Sequence, residues 1–390
     1  MKIVLYEMKK IWNIKLLLII TGLCVLFFFM FMHFYIKHFP NGHPETEEID
    51  YSIQMIKQYG TTLEPEEYKE FIVKAYGEIS SQMEAYIKNN AVFSAAGIYT
   101  LADFEKVYQK SETTQLEDNA IKILLGEESD FLLFKLQALN SIEEAYHADF
   151  NYTLHTLNEK EQLRLTKIQY TGKYNNINNI MSGWVIENTV MYTMCFSVLV
   201  ILAVLVLIAP IIITDRTQNI YLLQYTSKNG RKIFNQQFAA VILSAFFLTS
   251  ALIFIFGAIY SLNGTKLFVN NGLISFIGFN EFWFDITYGQ YILLCVMLLY
   301  LLCLGTAGIA FVLSRYSSNI ISLILKLIPA FAALWALCFG VFCGTFGSGN
   351  PLYRQTKIYG IEPIVCSLLF AAGLAASFYI LHREKKIDIL

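Results

Sequence analysis

The side chains able to do chemistry are few in this chain, and they are poorly spaced for it. His33, His38 and His43 stand five apart, which does not stack three rings on one helical face, and Pro40 interrupts the segment. His147, Asp149 and His155 cluster without a cysteine to complete a zinc set, so both groups read as solvated polar residues and no metal site is expected. No GxSxG or HExxH signature occurs, and no phosphate-binding loop of the form GxxxxGK[ST]. The chain is therefore expected to be no enzyme and to hold no cofactor of its own. The seven cysteines (Cys24, Cys195, Cys295, Cys303, Cys338, Cys343 and Cys366) all fall in or beside apolar stretches, where a thiol serves as a small buried hydrophobe.

The elements that carry these residues are dominated by apolar side chains. The chain is 55% hydrophobic and 15% charged, with a mean hydropathy of +0.47, where soluble domains run nearer a quarter charged. A bilayer core of about 30 Å is crossed by about 20 apolar helical residues. Six stretches reach that length: Leu16 to Ile36, Val190 to Thr214, Phe238 to Tyr260, Tyr291 to Leu313, Ile320 to Phe342 and Pro363 to Leu381. The first is too long for a signal peptide, and no small-residue cleavage site follows it. So bounded, the spans contain no Asp or Glu; His33 and a snorkelling Lys326 are their only titratable residues of basic type. An ion-driven transporter normally needs such groups in the membrane, so energy for any transport has to come from elsewhere. A net charge of −2 excludes a generally basic nucleic-acid binder.

Basic residues set the expected orientation. With the N-terminus inside, Lys2, Lys9, Lys10, Lys15, Arg216, Lys228, Arg231, Lys232, Arg315, Arg383, Lys385 and Lys386 are cytoplasmic, against Lys266, Arg354 and Lys357 in short outer loops. Both termini are expected in the cytoplasm of a multi-pass protein. Residues 1–15 form an amphipathic interfacial helix with Val4, Met8, Ile11 and Trp12 on one face and lysines that point elsewhere or snorkel. Span one is residues 16–36, and residues 37–189 form an extracytoplasmic domain with 24 acidic and 13 basic residues and no cysteine. In Glu64 to Asn90, Tyr68, Phe71, Ile72, Ala75, Tyr76, Ile79, Met83 and Tyr86 recur at helical steps, and Leu132, Leu136, Leu139, Ile142 and Tyr146 do so in Asp130 to Ala148. The fold class is an all-α membrane protein of about six transmembrane helices, with a helical domain inserted between helices one and two. Residues 190–381 hold spans two to six, and 382–390 are a cytoplasmic tail.

One loop carries the functional reading. Between spans two and three, residues 215–236 include Asp215, a short apolar turn around Ile220, Tyr221, Leu222 and Leu223, and an Asn229-Gly230 turn before Arg231. A short amphipathic helix at the membrane surface can dock in a partner's groove. Here the chain resembles the permease subunits of bacterial type-2 ATP-binding-cassette exporters. In that family an acidic residue leaves the second span, two leucines follow, and a Ser/Gly-Arg turn leads into span three; Asp215, Leu222-Leu223 and Gly230-Arg231 occupy those places. The chain has Asp where Glu is commoner, lacks the usual following glycine, and carries Gln236-Gln237 near a common lysine position.

The resemblance implies a permease that works with a separate dimer of ATPase subunits, which hold ATP and magnesium, and with a second permease subunit as homo- or heterodimer. It implies residence in the bacterial plasma membrane. Asp215, Tyr221, Leu222, Leu223, Gly230 and Arg231 are the residues it marks for ATPase contact. The large outer insertion resembles permeases of peptide or antibiotic efflux and antimicrobial peptide resistance, which exports peptides, antibiotics or amphipathic substrates. The family also re-enters the membrane after span five, where Gly340, Gly344, Gly347, Gly349 and Pro351 break regular helix. Gly305 with Gly308, and Ala372 with Ala376 beside Gly373 with Ser377, fit close helix packing within the subunit or at a dimer seam. Pro210 and Pro329 mark bends in spans two and five. The alternative class is a multi-span sensor or scaffold whose outer domain binds a ligand, although six spans exceed what anchoring needs.

Overall fold

The computed structural model describes residues 2–148, 157–173, 180–218, 220, 233–278 and 281–384. Hydropathy at this level leaves backbone polar groups in lipid, and the chain satisfies them inside helices. Among the described residues there is no strand, only isolated bridges pairing Met181 with Phe276 and Gly272 with Thr287. Six helices are long and apolar enough to cross a membrane: Ile14–Met32, Trp184–Thr217, Ile233–Asn263, Tyr288–Arg315, Ile320–Phe342 and Ile361–Glu384. The chain is thus an all-α, multi-span membrane protein.

The helices run past the limits that hydropathy sets, and this corrects the expectation of spans free of carboxylates. Glu187, Asp215, Glu362 and Glu384 all lie within the observed helices, near their ends. A helix continues through a charge as long as its backbone bonds close, whereas a hydropathy window stops there. Glu362 is fully buried, and neither of its carboxyl oxygens reaches a hydrogen-bond partner in another residue.

The chain divides into two compact units. The membrane unit comprises Met1–Lys37, Glu187–Thr265 and Gly289–Leu390. Span two is its central element, with 83% of its apolar stretch buried, whereas spans one and five have 11% each and lie at the periphery. Span one is α-helical over Ile14–Phe27 and widens to a π-turn over Phe28–Met32. Pro210 interrupts span two: the helix Trp184–Ile208 stops, and a second helix, Ile211–Thr217, restarts from Pro210. Pro329 lies inside the continuous helix of span five. After Phe342 the chain leaves the helix, turns through Gly344 at φ +94°, forms a short helix at Pro351–Thr356 capped by Asn350, and enters span six.

The second unit comprises His38–Ile186 with Lys266–Tyr288. Its helices Pro65–Asn89 and Leu132–His147 occupy the stretches whose apolar periodicity marks them. Leu132–His147 packs against both Pro65–Asn89 and Glu45–Tyr59. Met83, Phe93, Phe104, Leu139, Ile142 and Leu165 are fully enclosed in the core. Tyr68 stacks on Tyr146 with ring centroids 3.7 Å apart, and the Tyr76 hydroxyl donates to Asn140 and Glu143. The segment Lys266–Tyr288, which reads in the sequence as a plain inter-span loop, belongs to this unit. Met181 exchanges backbone bonds with Ser275 and Ile277, and the Arg164 Nε donates to the Trp283 carbonyl at 2.6 Å.

Candidate functional site

The neck of the loop between spans two and three is a densely tied polar site of the membrane unit. It begins where Pro210 breaks span two. The helix restart buries Ile211, Ile212 and Ile213, and the Ile212 amide donates to the Ser314 hydroxyl of span four at 3.2 Å. One turn on, Asp215 is 2% exposed. Its Oδ1 accepts from Lys10 Nζ at 2.9 Å and its Oδ2 from Gln237 Nε2 at 2.5 Å. Asp215 thereby joins the N-terminal helix Lys2–Ile11, the end of span two and the first turn of span three.

Lys10 is held from two sides. Glu7, one turn earlier, pairs with its ammonium at 2.6 Å. Burial works against the Lys10 charge, but the hydrogen bonds and charges of Glu7 and Asp215 outweigh it and raise its pKa above the ordinary lysine value. The N-terminal helix lies along span three, and the Trp12 indole N–H donates to the Ser244 hydroxyl at 3.0 Å. Its buried face therefore includes Glu7 and Lys10 as well as Ile11, while Ile3, Leu5 and Tyr6 are exposed. The expectation is that the lysines point elsewhere or snorkel, and one of them instead meets a buried carboxylate. Lys9 points away, but Lys10 turns inward because a buried carboxylate waits for it.

A second joint lies beside the first. The Arg216 guanidinium donates to the carbonyls of Arg315 and Ser317, filling acceptors left open at the end of span four. Arg315 in turn forks onto Glu384 at the end of span six, with Nε to Oε1 at 2.8 Å, and lies over the Phe234 ring of span three at 5.6 Å. Lys326 reaches from span five to the Tyr316 carbonyl, so its head caps a neighbouring helix end. The two residues flanking the start of the loop, Asp215 and Arg216, thus engage the N-terminal helix and spans three, four and, through Arg315, six.

Of the residues marked for partner contact, Asp215 is in this joint; Tyr221, Leu222, Leu223, Gly230 and Arg231 lie outside the described residues. Gly305 and Gly308 face span six. A side chain at Gly308 would stand 2.6 Å from the Gly373 carbonyl, and one at Gly373 would stand 2.4 Å from the Gly305 carbonyl. Ser377 closes the same seam, donating to the carbonyls of Gly373 and Gly308. Ala372 is exposed and Ala376 half-buried, outside that seam. His43 pairs with Glu47 at 2.6 Å and stacks on Phe131. Asp149 and His155 lie outside the described residues, and no metal-binding cluster occurs among the described residues.

Glu7, Lys10, Gln237 and Glu384 were not marked by the sequence as members of the site. The available signals were a lysine one turn from the only acidic residue of an amphipathic helix, and a glutamine just inside an apolar span. Comparison with protein-family models, curated proteins and solved structures finds no match to this chain. What the site does has to follow from its own residues.

Proposed function

We propose that the chain is the permease subunit of an ATP-driven exporter of the type-2 ATP-binding-cassette class, forming the pathway for a peptide, antibiotic or amphipathic substrate. The observation that supports this is the tied neck at Asp215 and Arg216. A partner that pushes on the loop pushes on residues bonded to the N-terminal helix and to the ends of several spans. In this reading separate ATPase subunits bind and hydrolyse magnesium-ATP, and this chain hydrolyses nothing. The loop, the N-terminal helix and the end of span six face the cytoplasm of a bacterial cell; the His38–Ile186 unit faces outward; and two permease subunits assemble side by side.

Tyr221, Leu222 and Leu223 are the residues assigned to the ATPase groove. Leu222→Asp places an uncompensated charge in that contact, which costs several kcal/mol and lowers affinity by about a hundredfold or more. The full chain purified with its co-encoded partners is expected to bring down an ATP-hydrolysing subunit, and Leu222→Asp to lose it while inserting normally. Retention of both ATPase association and transport by Leu222→Asp would move the sensor or scaffold reading to first place.

A further inference from the structure

A pocket of about 100 Å³ lies among spans two, three and four. Its three walls have matching lengths. They run from Thr189 to Phe196 on span two, from Tyr260 back to Ile253 on span three, and from Ile292 to Leu299 on span four. Each wall covers seven residue steps, about 10 Å of helix at 1.5 Å per residue. The gap exists because Gly257 contributes no side chain to it. A Cβ built at Gly257 meets nothing within 4 Å, and the residue is exposed. Large apolar side chains on the same two helices also face outward, Phe254 at 77% exposure and Leu293 at 58%.

Polarity along the pocket is graded. At one end the Tyr260 hydroxyl bonds Thr189 Oγ1 at 2.7 Å and receives Asn188 Nδ2 at 3.3 Å; Asn188 and Asn263 also donate to the Tyr35 carbonyl. This polar knot sits where span three ends and span two begins, at the level of a bilayer edge. Further in, Tyr192 directs its hydroxyl away to the Phe256 carbonyl at 2.8 Å. Beyond that, Phe196, Ile253, Val296 and Leu299 present only carbon.

We infer that this pocket holds one acyl chain of a membrane phospholipid, with the lipid's ester region at the Thr189–Tyr260 knot. A leaflet contributes about 15 Å of hydrocarbon, half of a core of about 30 Å. The slot thus matches about two thirds of a leaflet's depth, with its polar end at the edge and its apolar end toward the midplane. A peptide side chain entering sideways would meet no such gradient, and a soluble polar ligand would find no hydroxyl, amide or charged group beyond Thr193. Because Gly257 opens the slot, a larger side chain there fills it from within.

The test uses the full chain in nanodiscs containing phosphatidylglycerol with a photoactivatable diazirine midway along one acyl chain. Cross-linked peptides are mapped by mass spectrometry. Labelling is expected to concentrate on residues 189–196, 253–260 and 292–299, at least fivefold above the exposed span-five positions Leu325 and Ile328. Gly257→Phe is expected to cut the pocket labelling at least fivefold and leave span five unchanged. Equal labelling of pocket and span five in the unaltered chain would overturn the proposal, and that comparison stands even if Gly257→Phe does not fold. Pocket labelling that Gly257→Phe leaves intact would also overturn it. So would a cross-link from a photoreactive residue at position 257 to a second copy of the chain in place of lipid.

Discussion

The two units solve the ends and contacts of their helices differently. In the second unit, four helices start on a capping box: Glu64 with Glu67, Thr100 with Asp103, Thr114 with Glu117 and Asn158 with Glu161. Each box closes two backbone donors that water would otherwise satisfy less well. In the membrane unit the helices Ile14–Phe27, Ile320–Phe342 and Pro351–Thr356 start instead on single asparagines, at 13, 319 and 350. Its distinguishing contact is instead backbone on backbone, Gly305 and Gly308 against Gly373. The contrast follows from the solvent. Lipid is as apolar as leucine, so burying leucine against a neighbouring helix gains little there, and close approach of small residues gains more. The second unit uses large side chains such as Phe93, Phe104 and Met83 in its core and local caps to set where helices begin.

The largest effect is expected at the glycine seam. Gly373→Leu is expected to force spans four and six apart at a cost of about 3 kcal/mol, the upper part of the range for overpacking. It should appear as a melting temperature several degrees lower in detergent, or as loss of monodisperse protein. Unchanged melting would mean that the seam does not hold the bundle. Next in size is Asp215→Ala, which leaves Lys10 and Gln237 without their shared acceptor. About 2 kcal/mol is expected for unpaired groups in a buried polar joint. Hydrogen exchange in Lys2–Ile11 should accelerate by about thirtyfold, while exchange in the second unit stays unchanged.

Smaller effects are expected in the second unit. Thr114→Ala removes a cap and should destabilise the second unit by about 1 kcal/mol, read as faster exchange across Gln115–Leu124. Gly77 tests the glycine rule directly, because it lies mid-helix in Pro65–Asn89 with nothing within 4 Å of a built Cβ. Gly77→Ala is expected to stabilise by about 0.4–1 kcal/mol, the opposite sign from Gly373→Leu. The smallest expected signal is a pH effect. The Lys110 ammonium and the Thr114 cap hold the Glu117 carboxyl down at about 2. Its folded pKa is depressed, so its contribution is complete above the ordinary glutamate value and is lost as pH falls toward 2. Acidification from pH 5 to 2 should lower the melting temperature of the second unit less in Glu117→Gln than in the unaltered chain.

Much of the fold is legible in the sequence because its two main signals are local. Hydropathy marks six spans, and period-3.6 stripes mark Pro65–Asn89 and Leu132–His147. The ends of spans two and six are not legible, because a window average falls at Asp215 and Glu362 whether or not the helix continues. The membership of Lys266–Tyr288 in the second unit is not legible either: it depends on bonds such as Met181 to Ser275, across a long sequence separation and without periodicity. Small residues announce that Gly305 and Gly308 pack closely but not against which helix. At the loop neck, Asp215 stands out by its type and place, whereas its partners Lys10 and Gln237 are set by how the N-terminal helix folds along span three.

The proposed coupling requires the loop neck to face ATP, which is in the cytoplasm, and labelling tests this most directly. In a background without the seven native cysteines, single cysteines are placed at Gln115, in the second unit, and at Asn229, in the loop. A membrane-impermeant thiol reagent applied to intact cells is expected to label Gln115→Cys, and to label Asn229→Cys only after the cells are permeabilised. Labelling of Asn229→Cys from outside intact cells would put the loop on the wrong side of the membrane for any ATPase and contradict the permease reading.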